Sequence, residues 1–262
     1  MSHADSAPRA KKSLGQNFLQ DANIARKIVA ALAVGPDDFV AEIGPGPGAL
    51  TRILLDCRPA RLVLIEKDRH YAAERMREGG AGVVLADALE VAWERFPAPW
   101  KCIGNLPYNV ASPIMWELFS RSRGLSRAVF MIQKEVGLRV TARPGTSAYG
   151  ALSVWIQSFV APRLEFIVPP HVFRPRPKVD SAVLSFTPLP GGAPGETAFD
   201  PAALAVTLKA CFQQRRKQLG SIAKSAGRNP EALEALGIDP RLRPENLTPG
   251  EFHRLAAAGV YR

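Results

Sequence analysis

Four short apolar runs in the first half of the chain each stop at a glycine or a polar residue. Phe39-Val-Ala-Glu-Ile43 runs into Gly44, Arg61-Leu-Val-Leu-Ile65 into Glu66, Gly82-Val-Val-Leu-Ala86 into Asp87, and Lys101-Cys-Ile103 into Gly104 and Asn105. Runs this short and this rich in branched aliphatic side chains read as buried strands. Helical spacing fills the stretches between them. Ile24, Ile28 and Leu32 follow an Asp21 cap; Leu50, Ile53 and Leu54 open a second helix; residues 68–77 and 114–119 form two more. Strands alternating with helices at this pitch predict an α/β fold with a mostly parallel, doubly wound sheet. Ligands of such sheets bind beyond the carboxyl ends of the strands. Gly44, Glu66, Asp87 and Asn105 should therefore converge on one site.

A fifth strand is expected at residues 128–132, a helix at 134–142, and further strands at 159–168 and 181–186. Lys12 to Gln20 reads as a loop held down by Leu14, Phe18 and Leu19, and residues 1–12 as a basic, disordered tail. The Pro- and Gly-rich stretch 191–201 is the clearest linker. It separates a main domain, 1–190, from a small module of short helices, 202–262.

The net charge of +10 on 262 residues points to a polyanionic partner, nucleic acid first. Lys209, Arg215, Arg216, Lys217, Lys224 and Arg228 fall in one stretch without a single acid, which marks the C-terminal module as an RNA or DNA platform. No apolar run is long enough to span a bilayer. Cys57, Cys102 and Cys211 are too scattered for a disulfide framework or a zinc site, as are the four histidines. A cytoplasmic protein without a metal is expected.

Gly44, Gly46 and Ala49 match the loose dinucleotide pattern, and Glu66 stands twenty residues after Gly46, where an acid would accept from ribose hydroxyls. NAD and S-adenosylmethionine (AdoMet) fit this pattern alike. Pro45 and Pro47, however, have no N–H and take two donors out of a loop that should cradle a pyrophosphate. Asp87 could accept from the amino group of a cofactor adenine. Asn105-Leu-Pro-Tyr108 sets an amide oxygen, an outward main-chain carbonyl and a flat ring within one turn, because Pro107 biases Leu106 toward extended backbone. Two such acceptors could hold both hydrogens of an exocyclic amine such as adenine N6, with Tyr108 stacked on the base. Phe173-Arg-Pro-Arg-Pro-Lys178 puts an aromatic among cations. That suits a flipped base on Phe173 with phosphates held by Arg174, Arg176 and Lys178. No Ser-His-Asp or Cys-His arrangement is legible, which agrees with methyl transfer from a sulfonium, a reaction that needs positioning more than acid–base help.

Taken together, Gly15-Gln-Asn-Phe-Leu19, Glu42-Ile-Gly-Pro-Gly46, Ile65-Glu-Lys67, Asp87-Ala88, Asn105-Leu-Pro-Tyr108, Gln133-Lys-Glu-Val136, Tyr149-Gly-Ala-Leu-Ser153 and Phe173-Arg-Pro-Arg-Pro-Lys-Val-Asp-Ser-Ala182 resemble the ribosomal-RNA adenine dimethyltransferases. Arg243-Pro-Glu-Asn-Leu-Thr-Pro-Gly-Glu-Phe252 is similar to the branch acting on small-subunit (16S) RNA. The resemblance implies a Rossmann-like AdoMet-dependent methyltransferase sheet with a small all-α C-terminal domain. It implies AdoMet contacts among Asn17, Phe18, Leu19, Gly44, Pro45, Gly46, Glu66, Lys67, Asp87, Ala88 and Asn105. The target adenine would be held by Asn105, Leu106, Pro107 and Tyr108, with Phe173 beside it. RNA contacts would come from Arg174, Arg176, Lys178, Arg215, Arg216, Lys217 and Lys224. The implied activity is N6,N6-dimethylation of two adjacent adenosines in the 3′-terminal hairpin of small-subunit rRNA. The implied partner is an assembling 30S particle, met by a monomer. Rival readings are a resistance-type enzyme acting on large-subunit RNA, a non-catalytic nucleic-acid-binding protein on the same scaffold, and a nicotinamide-dependent oxidoreductase.

Overall fold

The computed structural model describes residues 16–190 and 199–261. Its elements in chain order are β1 (Phe18–Leu19), α1 (Ala22–Leu32), β2 (Phe39–Ile43), α2 (Thr51–Asp56), β3 (Arg61–Glu66), α3 (Arg69–Glu78), β4 (Gly82–Leu85), β5 (Trp100–Asn105), α4 (Ala111–Arg121) and β6 (Leu125–Gln133). There follow α5 (Lys134–Val140), α6 (Ala151–Phe159), β7 (Val160–Val168), β8 (Phe173–Arg174), β9 (Ser181–Pro188), α7 (Pro201–Gln213), α8 (Leu219–Ser225), α9 (Glu231–Glu234) and α10 (Pro249–Ala257). Asp21 caps α1 by accepting from the N–H groups of Asn23 and Ile24, and Asp68 caps α3 by accepting from that of His70.

Seven strands form one sheet in the order β4-β3-β2-β5-β6-β9-β7. The first five run parallel, while β9 is antiparallel to both β6 and β7. The chain moves outward from β2 to β3 and β4, then returns to lay β5 against the free side of β2. The order reverses between β2 and β5, and such a switch point opens a crevice at the strand ends. Gly44 follows β2 and Asn105 ends β5, so the two flank that crevice. Gly104 pairs with Ile43. A Cβ on Gly104 would lie 2.7 Å from the Ile43 carbonyl oxygen, so only glycine lets β5 approach β2 this closely just before Asn105.

Alternation along the strands sorts their side chains onto two faces. Val40, Leu62, Leu64, Ile103 and Val129 pack with Ile28 and Leu32 of α1 and Leu54 of α2. Ala41, Ile43, Ile65, Cys102, Ala128 and Phe130 pack on the opposite face with α4 and α6, where Trp116 and Trp155 stack at 3.8 Å. The same core continues into the C-terminal helices through Leu204, Leu208, Leu219, Phe252 and Leu255. Each fully buried Leu or Phe contributes about 1.5–3 kcal/mol. That burial, with the hydrogen bond between His253 Nε2 and Ser158 Oγ at 2.8 Å, fastens the C-terminal helices to α6.

Four features differ from the sequence reading. Residues 151–159 are helical, so the strand expected from residue 159 begins at Val160; an apolar run buried on several sides has no periodicity to separate helix from strand. The helix expected from Ile114 begins at Ala111. Phe18 and Leu19, read as loop, form β1 and pair antiparallel with Arg174 and Phe173 of β8. Pro201, the last residue of the expected linker, opens α7 at a position where its missing N–H costs nothing. The expected tail 1–12, Leu14 and residues 191–198 of the linker lie outside the described residues. Among the described residues no helix is long and apolar enough to cross a membrane.

Candidate active site

The glycine loop after β2 has used its own donors. The N–H of Gly44 donates to the Ile65 carbonyl at 2.9 Å and that of Gly48 to the Pro45 carbonyl at 2.9 Å. The N–H of Gly46 donates to Glu66 Oε2 at 3.0 Å, while Glu66 Oε1 accepts from the Asp68 N–H at 2.7 Å. Pro45 and Pro47 have none to give. A pyrophosphate would therefore find no free amide between Gly44 and Gly48, and the dinucleotide reading of this loop loses its physical basis. Gly46 has φ of +50°, and a Cβ there would lie 3.1 Å from the Phe18 ring. Glycine thus allows β1 to close over the loop.

The strand ends enclose a cleft of about 760 Å³, its open mouth included. Asn17, Phe18, Gly44, Gly46, Glu66, Lys67, Asp87, Ala88, Asn105, Leu106, Pro107 and Tyr108 all line it. Of the residues expected at a cofactor, Leu19 and Pro45 instead line a smaller hollow behind Gly44 and Asn105. The sequence reading did not single out Gln16, Ile43, Ile65, Ala86 and Ile114, which complete the wall. Ile43, Ile65 and Ile114 belong to core strands and a core helix, Ala86 follows β4, and nothing in their local pattern sets them apart from other apolar residues.

Two carboxylates face this space from adjacent strands. Burial pushes the Glu66 carboxyl above its ordinary range, against the Asp68 and Gly46 N–H groups that favour its ionised form. Each of its oxygens accepts one of those bonds and keeps a second lone pair for a ligand hydroxyl. Burial also raises Asp87. The hydrogen bond from Lys67 Nζ at 2.6 Å, the Leu89 N–H at 3.1 Å and the charge of Lys67 outweigh it, leaving the carboxyl below its ordinary range. The acceptor pair of Glu66, the ionised acceptor Asp87 and an aliphatic wall of Ile65, Ala88 and Ile114 fit an uncharged nucleoside.

The turn after β5 brings Asn105, Leu106, Pro107 and Tyr108 to the cleft wall. The Asn105 side-chain N–H₂ donates to the main-chain carbonyl of Asn17 at 2.9 Å, which leaves Oδ1 as the end available to the cleft. Leu106 anchors the turn with a fully buried side chain and an N–H donated to the Met131 carbonyl at 3.0 Å. Among the described residues no group donates to the Leu106 carbonyl. Tyr108 is half-buried, and its hydroxyl lies 2.6 Å from that of Ser181.

Phe173 sits elsewhere than expected. It is 4% exposed, packs in the core with Leu19 and Val172, and is not among the cleft's lining residues. The β1–β8 pairing, unseen in the sequence, turns it inward. Arg174, the second residue of β8, is exposed, as are Arg176 and Lys178 on the loop beyond it. In the C-terminal part, Arg216, Lys217 and Lys224 are exposed, whereas Arg215 is tied to Glu245 at 2.7 Å and to the Ser147 carbonyl at 2.6 Å.

Beneath the glycine loop lies a charged cluster that the sequence reading passed over. Glu42 is 1% exposed, accepts from Thr51 Oγ1 at 2.7 Å, and is pushed up to about 7 by burial. Arg75, 2% exposed, runs under Gly48, where a Cβ would collide with its guanidinium. Glu42 within an apolar strand was the available signal.

The chain matches the family model described as ribosomal RNA adenine dimethylase over residues 7–258. It is similar to the ribosomal RNA small subunit methyltransferase A of Nitratidesulfovibrio vulgaris, with 59% identity over 260 residues, 96% of this chain and 97% of that protein. Among solved structures it resembles a dimethyladenosine transferase from Plasmodium falciparum at 26% identity and a TM-score of 0.79, covering 91% of this chain and 95% of that one. It also resembles the 23S rRNA methyltransferase ErmE at 26% identity, with a TM-score of 0.68 over 92% of this chain and 99% of that one.

Proposed function

Because the chain belongs to the ribosomal RNA adenine dimethylase family, we propose that it dimethylates N6 of two adjacent adenosines in the 3′-terminal hairpin of small-subunit rRNA, drawing each methyl from one AdoMet. The substrate is an assembling small subunit in the cytoplasm. In this reading the protein works as a monomer.

The observation that carries the reading is the Asn105 turn. Its two carbonyl oxygens, Asn105 Oδ1 and Leu106 O, both lack donors from the described residues, and both residues line the cleft. They accept the two N6 hydrogens, which draws that nitrogen toward a pyramidal shape and frees its lone pair. Tyr108 packs on the base. Glu66 accepts from the cofactor ribose, Asp87 from its adenine amino group, and the main chain near Gly44 meets its amino-acid arm. AdoMet, when bound, supplies a methyl group on a sulfonium, so the leaving group needs no protonation. The residues therefore act by placing the reactants in line. The N6 proton released on transfer goes to solvent. Arg174, Arg176, Lys178, Arg216, Lys217 and Lys224 hold RNA phosphates, and their exposure supports that role.

The test uses small subunits from cells lacking this gene, incubated with the protein and methyl-labelled AdoMet, with the RNA then digested for mass spectrometry. Dimethyladenosine confined to a 3′-terminal fragment is the expected result. Label in large-subunit RNA instead would favour the resistance-type enzyme, and tight RNA binding without label a non-catalytic protein.

A further inference from the structure

The hydroxyls of Tyr108 and Ser181 are 2.6 Å apart, and either can donate to the other. Neither has a second partner among the described residues. Ser181 is fully buried, and its backbone is held from both sides: it pairs with Gln133 of β6 and with Val168 of β7. The preceding residue, Asp180, is fixed as well. Its carbonyl accepts from the Lys134 N–H at 3.0 Å and its carboxylate from Lys134 Nζ at 3.1 Å. Ser181 is thus a rigid point at the inner end of the basic loop. Tyr108, by contrast, sits in a turn, and its ring forms part of the cleft wall. A tyrosine there would be free to rotate about its side-chain bonds if its hydroxyl were unanchored.

We infer that Ser181 is a positioning residue: its hydroxyl holds the Tyr108 ring at one tilt and depth, so that the adenine packs against the same surface before and after its first methylation. The inference rests on the function proposed above. A monomethylated N6 has one hydrogen left for the two carbonyl acceptors. The second transfer therefore depends more on the stacked ring to keep the nitrogen in line, and loosening Tyr108 must harm it more than the first.

The test compares wild type, Ser181→Ala, Ser181→Thr, Tyr108→Phe and the Ser181→Ala/Tyr108→Phe pair as full-length chains. Single-turnover methylation of unmodified small subunits at saturating AdoMet is followed by mass spectrometry, counting mono- and dimethyladenosine separately. Losing one positioned hydrogen bond is expected to slow the second transfer about 10-fold in Ser181→Ala. The first should slow less, with monomethyladenosine accumulating and the KM for AdoMet unchanged. Thr restores the product ratio, and the pair loses no more than the worse single variant. In the free protein, ring-carbon NMR shows Tyr108 ring flips becoming faster in Ser181→Ala, with Tyr108→Phe assigning the signal among the four tyrosines. Wild-type rates and product ratio in Ser181→Ala, or additive losses in the pair, overturn the inference while the proposed function stands. Absence of methylation by wild type overturns both.

Discussion

Asn105 donates its side-chain amide to the main-chain carbonyl of Asn17, 2.9 Å away and 88 positions earlier in the chain. That bond decides which end of the amide faces the cleft. Asn105→Asp removes the donor and sets a carboxylate against a carbonyl oxygen. Methyl transfer should fall by about 10- to 100-fold, the cost of one unsatisfied polar contact at the reacting centre. The loss should appear in kcat as well as in AdoMet affinity. Steady-state kinetics with calorimetry of AdoMet separates the two.

Glu66 accepts from the N–H groups of Gly46 and Asp68, and in the proposed function it also accepts from the cofactor ribose. Glu66→Gln leaves one oxygen for two N–H donors and turns an amide N–H₂ toward one of them. AdoMet affinity should drop about 10-fold or more, measured by calorimetry, and the thermal midpoint should fall with it.

Glu42 gives the protein a pH dependence of definite sign. Its carboxyl is pushed up from 4.5 to about 7 by burial, so the folded state holds a proton that the unfolded chain has already released. The stability associated with that proton is present below pH 4.5 and declines as pH rises through about 7. Glu42→Gln, which can still accept from Thr51, should flatten that decline. The wild type should lose on the order of 3 kcal/mol relative to the variant across the interval. Thermal unfolding of both proteins across this range checks it. A constant offset between the two curves would contradict the buried-proton account.

The basic residues of the C-terminal part should separate into two classes. Arg216→Ala and Lys217→Ala remove exposed cations, and each should lower the salt slope of RNA binding by about 0.7–0.9, with the thermal midpoint unchanged. Arg215→Ala breaks the tie to Glu245 and Ser147, so its first effect should be a lowered midpoint. Filter binding across a salt series, paired with calorimetric unfolding, distinguishes them.

These contrasts also mark how far the sequence could be read. The strand ends were legible because each signal is local: an apolar run, then Gly44, Glu66, Asp87 or Asn105. Once the sheet is doubly wound, those ends must meet. What stayed hidden depends on partners far apart in sequence. The pairing of Phe18–Leu19 with Phe173–Arg174 is two residues long and draws on no composition signal, yet it buries Phe173 and closes the loop over Gly46. The Tyr108–Ser181 bond spans 73 positions. Arg215 looked like one cation in a basic run, and only the fold reveals its carboxylate. Residues 151–159 are mostly buried, the polar Ser153 and Ser158 included, so periodicity could not tell helix from strand.

The central claim is that the Asn105 turn, and not merely the cofactor cleft, performs the chemistry. The decisive measurement is methyl transfer to unmodified small subunits by wild type and by Asn105→Ala, each at an AdoMet concentration that saturates it, with dimethyladenosine counted per RNA. The account predicts dimethyladenosine from wild type and a loss of at least about 100-fold in Asn105→Ala despite full AdoMet occupancy. Equal rates from the two proteins at matched occupancy would contradict it.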